Sequence, residues 1–551
     1  MCRTLVLALS LACADAAARA QSTLPALAPE SLRVRLFALA ADSMGGRQTG
    51  EVGDWKAQEW VAARFRRAGL QPAGEGGTYF QVIPFQRFYA DTASRIRAGT
   101  VALAIGRDVL PLRGLPLSWS LDGVRAVLAG AVDRPDSWID SVRASGRFLV
   151  FTVPDSMRDL RSLGALLARI GQSPISRAGA GVAIAALERI APDLIPQILA
   201  GRIMTDTVIS PPPGFRPLIL TTVVAARALL GLDPVAAAVG AVGAPLSGGV
   251  RYDRARLAFP ARNVIAVVPG SDPGLHGEYV AISAHHDHVG FTGRPVDHDS
   301  TYAYNRVVRP MGADSPMRPT TPAEAARIAA IRDSLRRARP SRPDSVFNGA
   351  DDDGSGTVGL VAIAEALSAV QARRSILFVS HAAEERGLLG SAWFTDHPTV
   401  PRDSLVAEID MDMIGRGDAA DLPKGGPGYL EVVGAKRLSR EFGELLERVN
   451  AGQATPFVFN YEFDVPGHPL QYYCRADHYS YARYGVPAVS LSRGEHADYH
   501  QVTDEPQYID YQALSRVATL VRDFVRVVAD LDHRPALDGP RPADPHVPCR
   551  Q

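Results

Sequence analysis

The sequence predicts an α/β protein: a helix-covered, mixed but mainly parallel sheet, interrupted by an inserted, smaller α/β or β-rich domain. Three observations carry this expectation. From about Asn263 onward, short β-branched runs alternate with helical segments, the pattern of a sheet covered by helices. Between about Arg95 and Gly240 the composition shifts to strand-like runs mixed with alanine-rich helix. Four β-runs in the later segment end in acidic or histidine clusters, and open α/β sheets bind ligands beyond the carboxyl ends of their strands.

The elements follow in order. Residues 1–20 read as a signal peptide: Arg3, the apolar run Thr4 to Ala12, then Ala18-Arg19-Ala20 as an A-x-A cleavage site, which predicts export to the periplasm or the extracellular space. A lipoprotein anchor through Cys13 is the weaker reading, because Ser10 stands where an aliphatic residue is wanted. No other run of about 18 apolar residues occurs, so no membrane span is expected. From Pro29 to Phe85 the pattern is largely helical, with Leu32, Leu36 and Leu39 on one face and Trp55 to Phe65 spaced likewise. Residues 21–94 are thus a first segment of the main domain, 95–240 the insertion, with a break at Pro211-Pro212-Pro213-Gly214, and 241–533 the segment bearing the chemistry. Within the last, Thr321-Pro322-Ala323-Glu324 is a capping box that opens a charged surface helix to about Ala338. Residues 534–551, rich in proline, read as a loose tail.

Composition narrows the function. The chain has 551 residues, enough for two or three domains, and 46% hydrophobic with 21% charged residues is ordinary for a globular protein. Lys+Arg and Asp+Glu are both 59, so no net field attracts nucleic acid or an anionic membrane. Beyond the leader only Cys474 and Cys549 remain, too few for a disulfide framework or a thiolate zinc cluster; one bridge and two unpaired thiols are both open.

The chemistry-bearing residues lie in five places. Tyr279 to Ser283 runs into Ala284-His285-His286-Asp287-His288, where Asp287, two residues on, can orient the ring of a metal-binding His285. Asn348-Gly349-Ala350-Asp351-Asp352-Asp353-Gly354-Ser355-Gly356 precedes an apolar helix, and helix capping explains one of its carboxylates, not three. Its G-x-G-x-x-G follows no strand, and three anions would repel a pyrophosphate; EF-hand spacing is absent. Ser375 to Val379 leads to Glu384-Glu385, a pair able to divide metal binding from proton transfer. Leu405 to Ile409 runs into Asp410-Met411-Asp412, and Pro487 to Leu491 leads to His496, Tyr499 and His500. There is no G-x-S-x-G elbow. A pool of imidazoles and carboxylates without thiolate suits zinc, with cobalt or manganese as substitutes.

These blocks resemble the co-catalytic dizinc aminopeptidases of the M28 type. The likeness runs through Ala284 to Gly290, Asn348 to Gly356, Glu384-Glu385-Arg386-Gly387-Leu388-Leu389-Gly390-Ser391, Asp412-Met413-Ile414-Gly415 and Tyr499-His500; Gly45 to Gly50 looks like the family's amino-terminal segment. The resemblance implies the phosphorylase/hydrolase-like zinc-peptidase fold and two Zn2+ per chain. It makes Asp352 the bridging carboxylate, His285 and Asp412 the further ligands of one ion, and Glu385 and His500 those of the other. Glu384 is then the general base, Asp287 supports His285, and Tyr499 stabilises the oxyanion. The role of Asp410 stays open, and block alignment alone selects Asp352 from its neighbours. His286, His288, His381, His478 and His496 read as structural or solvent-facing. The implied activity is hydrolysis of a peptide or protein substrate by a metal-bridging hydroxide, releasing an amino-terminal residue. A dizinc carboxypeptidase or small-amide hydrolase and a non-catalytic binding ectodomain are the alternatives. Residues 95–240, with Gly146 to Phe151 and Ala178 to Ile184, resemble less specifically the protease-associated domain, which implies a role in shaping access to the site.

Overall fold

The computed structural model describes residues 27–113, 118–155, 169–170, 173–192, 194–205 and 216–551. The leader, Cys13 and the Pro211–Gly214 break lie outside them. The chain divides into two compact units, one comprising residues up to Ile83 together with Ala258–Gln551, the other Pro84–Leu257. No helix among the described residues is long and apolar enough to cross a membrane.

The first unit is built on a mixed sheet whose strands are β1 (Gln71–Pro72), β2 (Phe80–Val82), β3 (Arg262–Val268), β4 (Tyr279–His285), β5 (Ser375–His381), β6 (Leu405–Met411), β7 (Tyr429–Val433), β8 (Val458–Asn460) and β9 (Ala488–Ser492). Their order is β1-β3-β5-β4-β6-β9-β7-β8, with β2 also paired to β3. The centre, β5-β4-β6-β9, is parallel throughout, while β3 and β7 run antiparallel to it on either side. Every residue of β5 and β6 is buried, as expected of strands covered on both faces. Helices α1 (Pro29–Leu39), α2 (Val52–Arg67), α3 (Gly356–Leu367) and α4 (Tyr511–Ala529) contribute to one continuous core with the sheet, in which Phe65 meets Phe378 of β5 at 6.1 Å between ring centroids. Beyond α2 the chain is not helical as its pattern implied: β1 and β2 join the sheet edge through β3. The charged helix Pro322–Ala338 forms with both halves of its capping box and buries none of its residues.

The second unit also holds a nine-stranded sheet. The two segments that suggested an inserted domain form adjacent parallel strands, Phe148–Thr152 and Gly181–Ala185. Alternate residues divide between two cores, Phe148 and Val150 facing one and Leu149 and Phe151 the other. The unit extends beyond the expected 95–240 because Phe85–Ala90 pairs antiparallel with Tyr252–Arg256, closing the two ends of the insertion on each other. A shift in composition does not reveal that ladder.

Residues 534–551 are not a loose tail. Cys549 is bridged to Cys474, the backbone of Gly467 donates to the Gln551 carbonyl at 2.8 Å, and Arg534 pairs with Glu278 at 2.8 Å. Proline-rich composition excludes helix and strand but says nothing about covalent or side-chain anchoring.

Candidate metal centre

The parallel centre of the sheet aims four strand ends at one edge. His285 is the last residue of β4 and lies in register with His381, the last of β5, after which a turn presents Glu384 and Glu385. Asp412 follows β6, and the loop after β9 carries the chain to His500. Asp351 to Asp353 occupy the turn that leads into α3.

These side chains meet around Asp352. One of its oxygens lies 3.3 Å from His285 Nε2 and the other 2.9 Å from His500 Nε2. On the first side His285 Nε2 is 3.8 Å from Asp412; on the second, Glu385 lies 3.0 Å from His500. Glu384 stands 3.9 Å from His285. The group therefore has two lobes sharing one carboxylate.

The three consecutive aspartates, among which the sequence chooses by alignment alone, have different surroundings. Asp351 accepts from the Gly415 amide at 2.6 Å and faces His496 at 3.2 Å. Asp353 accepts from Gly356 and Met413 at 2.9 and 3.2 Å on one oxygen and from His285 at 3.1 Å on the other, so it caps α3 and ties two loops. Although Asp353 also lies near His285 and Asp412, both its oxygens are committed to backbone amides. Asp352 alone turns its carboxylate into the cluster. Asp504 holds the turn beneath them, accepting from the amides of Asp351 and Asp352 at 3.0 and 3.2 Å.

Asp287 sits beside His285, but its carboxylate is 3.7 Å from Nδ1, and the closer contact is its own backbone carbonyl at 3.2 Å. The carboxylate instead accepts from Thr49 at 2.8 Å and from the Glu384 amide at 3.0 Å, so it anchors the glutamate turn as well. The Tyr499 ring stacks on His500 at 4.1 Å, and its hydroxyl accepts from Arg475 at 3.3 Å. Burial and the charges of Asp352 and Glu385 push the Tyr499 hydroxyl well above its ordinary range, which keeps it a proton donor. Burial, in spite of His285, and the charge of Glu385 raise the Glu384 carboxyl well above the usual value. For His500, burial works against protonation, but Glu385 and Asp352 outweigh it and raise the ring to about 11.

Sequence reasoning missed two contributors. His288 is buried, with Nδ1 2.7 Å from Glu385 and 3.7 Å from Asp352. The run of three histidines between 285 and 288 was its only signal. Arg47, fully buried, donates to the carbonyls of His286, Asn348 and Gly349 at 2.8, 2.5 and 2.8 Å, joining the histidine loop to the aspartate turn. None of His286, His288, His381, His478 and His496 faces solvent; all are buried. Asp410 shares the Ser283 hydroxyl with Glu408, at 3.1 and 2.6 Å, behind the cluster. In a further group of His298, Asp344 and Glu505, His298 Nε2 lies 2.8 Å from Glu505, and Arg342 pairs with both acids.

Residues 263–525 match peptidase family M28. Leucine aminopeptidase 1 of Coccidioides posadasii is 34% identical over 178 residues, 30% of this chain and 42% of that protein. Aminopeptidase Y of Saccharomyces cerevisiae is 26% identical over 196 residues, 33% of this chain and 34% of that one. The chain thus spans less than half the length of these curated relatives. Among solved structures, an aminopeptidase from Aneurinibacillus sp. strain AM-1 aligns with a TM-score of 0.49 at 16% identity, covering 93% of this chain and 96% of that one. The zinc aminopeptidase BSAP of Bacillus subtilis aligns with a TM-score of 0.48 at 16% identity, covering 92% and 95%. The stretch that resembles peptidase family M28, residues 263–525, is the one that holds every clustered side chain from His285 to His500.

Proposed function

We propose that this protein is an exported zinc aminopeptidase that holds two ions, one by His285 and Asp412, the other by Glu385 and His500, with Asp352 shared. One observation carries the reading. His285 Nε2 and Asp412 Oδ1 are buried without a hydrogen-bond partner among the described residues, Asp352 Oδ2 and Glu385 Oε1 face only histidine ring nitrogens, and all four converge on one place. Buried acceptors left unpaired are costly, and cations between them satisfy the whole set. Imidazole and carboxylate without thiolate fit zinc. His288 supports the second lobe from behind Glu385.

When bound, two zinc ions supply Lewis acidity to the scissile carbonyl and to water in one cleft. The chain's own groups do the rest. Glu384 Oε2 takes a proton from the attacking water and returns it to the departing amine. Asp287 holds the Glu384 turn through its amide, and the Tyr499 hydroxyl donates toward the oxygen on which charge develops. The leader and the Cys474–Cys549 bridge both support an oxidising compartment outside the cytoplasm.

The test is Glu384→Gln in the zinc-loaded protein. Two zinc ions per chain by elemental analysis, with hydrolysis of leucine p-nitroanilide reduced by roughly 10²–10⁴, is the expected outcome. Undiminished hydrolysis removes Glu384 from the reaction. Cleavage that survives acetylation of the substrate amine rejects an aminopeptidase in favour of a carboxypeptidase or amide hydrolase.

A further inference from the structure

A cavity opens beside the cluster and is lined by Glu384, Asp412 and His500 at one end and by Glu431 and Glu495 among its other walls. Its floor is a row across three strands. Asp412 continues β6 beside β9, where Met411 is in register with Leu491, and Ser492 of β9 stands directly opposite Glu431 of β7. Asp412 and Glu431 are therefore two strand spacings apart, roughly 9–10 Å between backbones.

Glu431 is only 2% exposed. One of its oxygens accepts from the Tyr429 hydroxyl at 2.5 Å; the other makes no hydrogen bond among the described residues. The one guanidinium in the lining, Arg475, is already engaged with Glu495 at 3.1 Å and Asp314 at 2.7 Å. Burial raises the Glu431 carboxyl to about 7, the mark of an acid lacking a counter-charge, and raises that of Glu495 to about 8 in spite of Arg475. A buried acid of this kind, facing a cavity, is complementary to a cation supplied from outside.

We infer that this cavity receives the basic side chain of the substrate's amino-terminal residue, with Glu431 as the residue that selects lysine or arginine. The inference rests on the aminopeptidase reading. The spacing favours a side chain over the α-amine. The α-amine is two bonds from the scissile carbonyl carbon and must stay beside Asp412 and Glu384. An extended lysine chain carries its ammonium about 6 Å from its Cα, toward Glu431.

The experiment compares lysine, arginine, leucine and glutamate p-nitroanilides on the zinc-loaded full chain and on its Glu431→Gln variant, which retains an oxygen to accept from Tyr429. We expect kcat/KM for lysine and arginine to exceed that for leucine at least tenfold, and Glu431→Gln to lower the basic substrates by roughly 10–100-fold with leucine changed less than threefold. Equal rates for lysine and leucine, or a variant that loses all substrates alike, overturn the inference. Calorimetry with L-lysinamide and L-leucinamide reads the cavity without turnover. Tighter lysinamide binding that disappears in Glu431→Gln supports the assignment even if no anilide is cleaved, an outcome that would sink only the catalytic reading; equal binding of the two amides refutes it.

Discussion

Replacing Arg47 by lysine tests whether one buried fork holds the two loops together. Arg47 spans the His286 carbonyl on one loop and the Asn348 and Gly349 carbonyls on the other, each within 2.8 Å. Its backbone has φ +46°, so lysine meets the same backbone strain and keeps the charge among Asp352, Asp504, Asp353 and Asp287. What changes is the planar, divergent set of donors. A single ammonium can serve one of the three carbonyls well, and two charge-assisted bonds at about 1.5–3 kcal/mol each put the loss at about 3–6 kcal/mol. The cost falls on the segments that carry His285 and Asp352, so zinc binding weakens together with folding. Urea unfolding of the zinc-free protein, followed by tryptophan fluorescence, and zinc content after dialysis measure the two effects. If Arg47→Lys unfolds within about 1 kcal/mol of the parent and retains its zinc equally, the loops are held by something other than this fork.

Two further outcomes follow from the same structure. Cys549→Ser opens a loop with a sequence separation of 75, for which chain entropy gives about 4 kcal/mol; thiol titration of the native parent finds neither Cys474 nor Cys549 reactive, and two free thiols there would deny the bridge. Burial raises the Asp421 carboxyl, but its pairing with the buried Arg416 outweighs this and holds it at about 2, against 3.8 for the free group. A depressed acid stabilises the fold above its unfolded pKa and loses that contribution as pH falls, so about 2 kcal/mol disappears between roughly pH 4 and pH 2. Asp421→Asn removes this portion of the acid-unfolding slope, and an unchanged slope excludes the pair as its source.

Much of the site could be read before any coordinates. The β-runs at Tyr279, Ser375, Leu405 and Pro487 are short and apolar, and each leads into a polar cluster, so their places in a buried sheet and the ligand edge beyond them follow from local pattern. Glu384 and Glu385 stood out as a pair for the same reason. His288 did not, because an imidazole three residues after His285 carries no sign of which partner it meets; Glu385, its neighbour at 2.7 Å, is 97 positions away. Arg47 lies some 240 positions from His286, and nothing in a glycine-rich block announces that its arginine is buried.

The alternation of strands and helices, the residue types available for chemistry and their order along the chain are legible in the residues alone, because periodicity and side-chain chemistry are local properties. The tertiary structure decided which of Asp351, Asp352 and Asp353 faces the cluster, where the inserted unit closes, and that the tail is tied down. Those outcomes depend on which amides, ladders and thiols reach a given residue from distant parts of the chain. The amides of Gly415, Gly356 and Met413 occupy two of the three carboxylates and leave Asp352 turned inward.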